Sequence, residues 1–242
     1  MNEFIADFDN PPSRIGTSSL KWGRYEGSGV IPLWVADMDF KSPPCVLNQA
    51  KISAEHGNFG YGRPPTGFAE RIAQRSEKLY KWKIDPSWVV WLPGMVCALN
   101  VTCRTLLGES SQAIIQTPIY PPFLSASRNF GIPLAKVPLV LKKNRFTIDF
   151  DALSELKTNP GDLFMLCHPH NPVGTLFTEN ELRLLIDWSL KRNLYLCSDE
   201  IHCDLVLEKE LRHIPPASLD QEIAERTITL MAPSKTFNIA AL

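Results

Sequence analysis

Blocks of apolar residues alternate with polar, helix-spaced segments along most of this chain. Residues 88–92 form a short apolar run broken by Pro93-Gly94, and residues 95–107 are largely apolar, which predicts a strand–glycine–helix junction leading into a buried helix. Residues 112–117 then predict a strand, 121–130 a helix and 132–138 a strand ending in proline. Residues 142–150 read as a polar connection, and 151–157 as a helix opened by an acidic cap, Asp151. A strand over 163–167 runs into the turn His168-Pro-His-Asn-Pro-Val-Gly174. Thr178 caps a helix reaching about Lys191, with Leu182, Leu185, Ile186 and Ser189 on its inner face. Residues 194–198 form the next strand, 215–224 one or two short helices, and 227–231 a last strand stopped by Pro233.

Upstream, residues 1–35 are irregular and 33–40 form an apolar segment carrying two carboxylates. Ser42-Pro43 starts a helix that stops at Gly57; after a glycine- and proline-rich loop, Thr66 caps another with Phe68, Ile72, Arg75 and Leu79 at helical spacing. Strands separated by helices in this rhythm imply an α/β fold, a mostly parallel sheet with helices on both faces.

Composition adds boundaries rather than detail. The 242 residues are 44% hydrophobic and 21% charged, and 25 basic against 26 acidic side chains give a net charge of −1. Nothing in that balance points to nucleic acid or a membrane surface as partner. The acidic stretch 1–9 lacks the apolar core of a signal peptide, so the six cysteines (45, 97, 103, 167, 197 and 203) read as reduced thiols of a cytoplasmic protein.

Open parallel sheets bind ligands beyond the carboxyl ends of their strands. Three such ends carry Asn171, then Asp199 with His202, then Lys235. The junction Pro93-Gly94-Met95-Val96-Cys97 offers free backbone N–H groups at a positive helix end, which suits a phosphate. Tyr120, held among prolines, presents a ring that can stack on a flat heterocycle. Amine, carboxylate, amide, aromatic ring and phosphate cradle are the groups that pyridoxal 5'-phosphate requires. A zinc site built on Cys167-His-Pro-His170 and His202-Cys203 is disfavoured, because no paired C-x-x-C spacing is present.

Asn171-Pro-Val-Gly174, Ser198-Asp-Glu-Ile-His202 and Ser234-Lys-Thr-Phe-Asn238 resemble motifs of aminotransferase fold-type-I enzymes. Pro32-Leu-Trp-Val-Ala-Asp-Met-Asp-Phe40, Tyr61-Gly-Arg-Pro-Pro-Thr-Gly67, Pro93-Gly-Met-Val96, Pro118-Ile-Tyr-Pro-Pro-Phe123 and Cys167-His-Pro-His-Asn-Pro-Val-Gly174 narrow the resemblance to PatB/MalY-type cystathionine β-lyases, also called C–S lyases. It implies that Lys235 forms the Schiff base with pyridoxal phosphate and serves as the base at the substrate α-carbon. Asp199 would pair with the pyridine nitrogen, Asn171 and His202 contact the ring hydroxyl, and Tyr120 stack on the ring. Met95 and Val96 would give backbone N–H groups to the phosphate, helped by Ser234. Tyr61 would reach the partner subunit's cofactor across a homodimer interface, and Ala36 and Asp37 would line the substrate entrance.

The resemblance also implies a large-domain fold in which 1–45 form an N-terminal arm with the start of a small-domain segment, and 46–242 the cofactor-binding domain. Relatives continue through a further strand and a C-terminal small domain, so the expectation is a C-terminally truncated fragment with impaired turnover. The implied activity is cleavage of cystathionine or a cysteine S-conjugate to thiol, pyruvate and ammonia. The alternatives are an aminotransferase sharing the same site and a non-catalytic relic or regulatory interaction protein.

Overall fold

A computed structural model describes residues 8–242; the acidic start read above over residues 1–9 lies mostly outside the described residues. The described chain divides into two compact units, residues 64–232 and residues 8–63 together with 233–242.

In the second of these, helices α1 (Leu20–Gly23) and α2 (Pro44–His56) are joined by turns and irregular chain. Ser19 caps α1 through its side chain. Helix α2 ends on Gly57 in the left-handed conformation, as the sequence predicts, but it starts one residue later than Ser42-Pro43 implies: Pro43 is the N-cap, without a side-chain cap, and Pro44 takes the first position; none of its residues is buried.

The larger unit opens with α3 (Phe68–Tyr80) and α4 (Met95–Leu106). Gly67, not Thr66, occupies the N-cap of α3 and makes no side-chain cap. The apolar run 88–92 is not a strand: Pro86–Trp88 forms a 3-10 turn, and residues 89–92 pair with no strand among the described residues. An apolar run becomes a strand only beside a hydrogen-bonding neighbour, and Val90 stands 76% exposed.

The remaining elements are β1 (Ala113–Thr117), α5 (Pro121–Ala126), β2 (Leu134–Pro138), β3 (Val140–Lys142), β4 (Arg145–Thr147), α6 (Phe150–Glu155), β5 (Leu163–Cys167), α7 (Glu179–Lys191), β6 (Tyr195–Asp199), α8 (Gln221–Ala224) and β7 (Thr227–Leu230). Five strands form one parallel sheet in the order β2-β1-β5-β6-β7. The stretch 142–150 is not a plain connection. It holds the turn and second strand of the β3–β4 hairpin, turned by Lys143 and Asn144, both at positive φ. Asp149 rather than Asp151 caps α6, accepting from the Ala152 N–H.

Strand alternation sorts the core into two layers. Ile114, Phe164, Leu166 and Leu196 pack with Leu153 of α6, Leu182, Leu185 and Ile186 of α7, and Ile223 of α8. Ile115, Met165, Cys167 and Cys197 pack with Ala98, Leu99 and Cys103 of α4 and Phe123 of α5. Helices therefore cover both faces of the sheet. Thr178 and Glu181 form a reciprocal capping box that fixes the start of α7.

Candidate active site

The larger unit brings six of the expected site residues to the carboxyl ends of its strands and the start of α4. Asp199 ends β6 opposite Cys167 of β5, on the α4 side of the sheet. It is almost wholly buried. The Ile201 N–H donates to Asp199 Oδ1 at 3.1 Å, and no cation pairs with this carboxyl among the described residues. Burial pushes its pKa up to about 7 and Glu200 adds to the rise, while the Ile201 N–H opposes it. Beside it, burial and the Asp199 charge push the Cys167 thiol up to about 12.

Asn171 follows β5 in the turn. Its N–H donates to Cys167 Sγ at 3.4 Å, and its carbonyl accepts the Tyr120 N–H at 3.1 Å, so the structure joins the Asn171 and Tyr120 backbones. Tyr120 is partly exposed, as a stacking ring must be. His202 lies in the turn after β6 and is half-buried. Met95 opens α4 and packs against the core layer that holds Cys167 and Cys197. Gly94, the N-cap, has φ 156° and no side-chain acceptor, so the first N–H groups of α4, including those of Met95 and Val96, have no cap. A side chain at Gly94 would be strained in that backbone conformation.

A second buried polar cluster was not anticipated from the sequence. Glu200 Oε2 contacts His213 Nε2 at 2.6 Å, and the His213 ring lies 4.8 Å from the His168 ring. His168 stacks on Phe177 in the α7-side core, and burial, reinforced by His213, drives its pKa well below the usual imidazole range. The signal in the sequence was the unusual density of histidine between residues 168 and 213, but only the fold shows which of them meet.

The smaller unit holds Lys235, Ser234, Ala36, Asp37 and Tyr61. Lys235 Nζ donates to the Ala36 carbonyl at 3.0 Å, so the lysine and the expected entrance segment meet within one unit. Arg14 grips Asp37 through two hydrogen bonds, 2.7 and 2.8 Å. Lys21 Nζ and Trp22 Nε1 each donate to Asp39 at 2.8 Å. Both carboxylates of the 33–40 segment are thus neutralised by residues from a stretch that looks featureless in sequence. Two aspartates two apart on extended chain face one side, which was the available hint that cations must lie opposite. Tyr61 is fully exposed.

A buried carboxyl lacking a cation and an uncapped helix start on the same side of the sheet suit a ligand that is cationic at one end and anionic at the other. Pyridoxal phosphate, with its pyridinium nitrogen and phosphate, fits that requirement.

The larger unit is therefore an open, parallel-sheet α/β protein with candidate polar groups at its strand ends. More narrowly, the chain belongs to the aminotransferase class I and II family, whose model matches residues 28–242. It is 35% identical over 241 residues to cystathionine beta-lyase PatB of Bacillus subtilis (strain 168), covering 98% of this chain and 62% of that protein. The solved structure of OvoB matches at TM-score 0.92 with 40% identity, over 98% of this chain and 62% of that one. A PLP-bound C-S lyase from Staphylococcus hominis matches at TM-score 0.89 with 30% identity, over 99% and 62%. The chain thus spans about three-fifths of the length of these relatives.

Proposed function

We propose that this chain is the cofactor-binding part of a cytoplasmic, homodimeric, pyridoxal-phosphate-dependent C–S lyase that cleaves a sulfur amino acid of the cystathionine type. The observation that carries the reading is Asp199: a buried carboxyl, without a cationic partner among the described residues, at the strand end where such a ligand binds. The names of the relatives, a cystathionine beta-lyase and a PLP-bound C-S lyase, support the cofactor and the substrate class.

When bound, the cofactor supplies an electron sink for negative charge at the substrate α-carbon. Asp199 would hold a proton at the ring nitrogen, because a cation beside it reverses the effect of burial on its ionisation. Asn171 and His202 would orient the ring through its hydroxyl, and Tyr120 would cover one face. Met95 and Val96 would bind the phosphate through backbone N–H groups, with the Ser234 hydroxyl assisting, and Tyr61 would do the same for the partner subunit. Lys235 would bond the cofactor and then move the proton at the substrate α-carbon, and Ala36 and Asp37 would line the approach. The net reaction takes the thioether amino acid and one water to a thiol, pyruvate and ammonium.

Transamination is the second reading, favoured by the family description itself. Pyridoxal phosphate is added to the purified chain, and the product is reduced with borohydride and digested. The expected outcome is a new near-ultraviolet or visible absorption band and a mass label on Lys235 that Lys235→Ala abolishes. A chain that binds no pyridoxal phosphate overturns the proposal. Release of thiol, pyruvate and ammonium without a keto acid marks the lyase; product formation only with a keto-acid acceptor marks the transaminase.

A further inference from the structure

We infer that Asn238 is a positioning residue for Lys235, clamping the lysine's turn to the Ala36–Phe40 segment; this rests on the reading of Lys235 as the residue that bonds the cofactor. The Asn238 side chain treats Met38 as a strand neighbour would. Its Oδ1 accepts the Met38 N–H at 3.1 Å and its Nδ2 donates to the Met38 carbonyl at 2.9 Å, 200 residues away in sequence. Nδ2 also reaches the Phe40 carbonyl at 3.4 Å, and the Asn238 carbonyl accepts the Ser42 hydroxyl at 3.1 Å. Few side chains fit here. Only an amide offers a donor and an acceptor in one fork, and asparagine is the amide that accepts the left-handed backbone found here, φ 53°.

The clamp acts on both partners. On the Lys235 side, the Phe237 N–H bonds the Pro233 carbonyl and the Ile239 N–H bonds the Ser234 carbonyl, both at 3.0 Å, closing a tight turn with Lys235 inside it. On the other side, Arg14 holds Asp37 and reaches the Met38 carbonyl at 3.2 Å, while Lys21 Nζ takes the Asp37 carbonyl at 2.8 Å. The Ala36–Phe40 segment is thus gripped from two directions, and its Ala36 carbonyl is where the Lys235 amine rests. Loosening Asn238 frees the turn and the resting place together, so the amine loses its fixed starting geometry.

The test compares wild type with Asn238→Gly and Asn238→Asp in two measurements. Glycine keeps the left-handed backbone without the fork, and aspartate keeps the size and acceptor without the donor. In cofactor-free protein, hydrogen exchange of the Met38 amide should be about tenfold faster in Asn238→Gly, as expected for loss of a paired bond. With pyridoxal phosphate and borohydride, the label on Lys235 should form about tenfold more slowly in both variants. The label on exposed Lys51 of α2 and the melting temperature should stay at wild-type values. Unchanged Met38 exchange overturns the inference, as does glycine labelling Lys235 at the wild-type rate. Wild-type Lys235 labelled no faster than Lys51 overturns this inference and the cofactor reading together; selective wild-type labelling retained in Asn238→Gly overturns this one alone.

Discussion

The two units of this chain are held together by opposite means. In residues 64–232, the described core is chiefly apolar: Phe164, Leu166, Leu182, Leu185 and Ile115 are fully enclosed between helices and sheet. In residues 8–63 with 233–242, the buried residues are Ser19, Lys21 and Pro32, while Leu33 is 87% and Ile31 77% exposed. What orders that unit is directional and polar: the Arg14–Asp37 fork, the Lys21 and Trp22 bonds to Asp39, and the Asn238 clamp. Apolar burial contributes free energy without specifying angles, whereas a hydrogen-bonded fork specifies angles at little net gain. The unit that carries the proposed covalent lysine is the one built for orientation.

The contrast is broken most directly by truncating one leucine in each unit. Leu182→Ala, on the buried face of α7, should cost about 3–4 kcal/mol in urea unfolding, from lost transfer energy and the cavity left behind. Leu33→Ala should stay within about 0.5 kcal/mol of wild type. Equal costs would mean that the smaller unit has an apolar core after all.

Asp199 sharpens the comparison from inside the larger unit, where a group proposed for function sits at the expense of stability. Its carboxyl has a pKa of about 7 in the fold against an ordinary 3.8. Below pH 4 both folded and unfolded chains hold the proton, and the residue is neutral in the stability balance. Between pH 4 and 7 only the unfolded chain ionises, so stability falls as pH rises, and above pH 7 the full penalty is present. Asp199→Asn should therefore stabilise the cofactor-free chain by about 4 kcal/mol at pH 8 and by almost nothing at pH 3. The same substitution should abolish tight binding of pyridoxal phosphate, measured by absorbance titration. Destabilisation at pH 8 would show that the carboxyl is already satisfied without a ligand.

The sequence made the larger unit more legible than the smaller for the same physical reason. Period-2 and helical apolar patterns report burial, and burial organises residues 113–230, so every strand of the parallel sheet and the Thr178 cap could be read. The run 88–92 misled because its composition is that of a strand while its hydrogen-bonding neighbour is a matter of topology. The β3–β4 hairpin was missed because Lys143-Asn144 lacks the glycine that usually advertises such a turn. The positions of Asp199 and Asn171 could be read because they follow from the strand ends that carry them. The contacts of Arg14, Lys21 and Asn238 could not, since polar contacts between residues 16 to 200 positions apart leave no periodic trace. The Glu200–His213–His168 cluster was hidden likewise, its members scattered over two loops.

Ion pairs give the finest cut of the comparison. Glu181 in the larger unit accepts two hydrogen bonds from Arg145, at 2.9 and 2.7 Å, and others from Thr147 and from the Thr178 N–H and hydroxyl. Burial alone would raise its pKa, but Arg145 and the threonines together outweigh burial and bring it down to about 2 from an ordinary 4.5. A depressed carboxylate contributes stability that is complete above the unfolded value and fades as pH falls from 4.5 through 2. Glu181→Gln should therefore cost about 2 kcal/mol at pH 7, reduced from the full shift because Arg145 is partly exposed, and the difference from wild type should vanish near pH 2. The Arg14–Asp37 pair of the smaller unit is about a quarter exposed on both sides. Asp37→Asn should cost only about 0.5–1 kcal/mol in dilute buffer and progressively less as sodium chloride approaches about 1 M, where exposed charges are screened within a few ångströms. Urea unfolding of both variants across salt and pH decides the matter. A salt-insensitive cost for Asp37→Asn as large as that for Glu181→Gln would mean that the smaller unit encloses its charges as tightly as the larger, and that its order does not rest on solvent-facing forks.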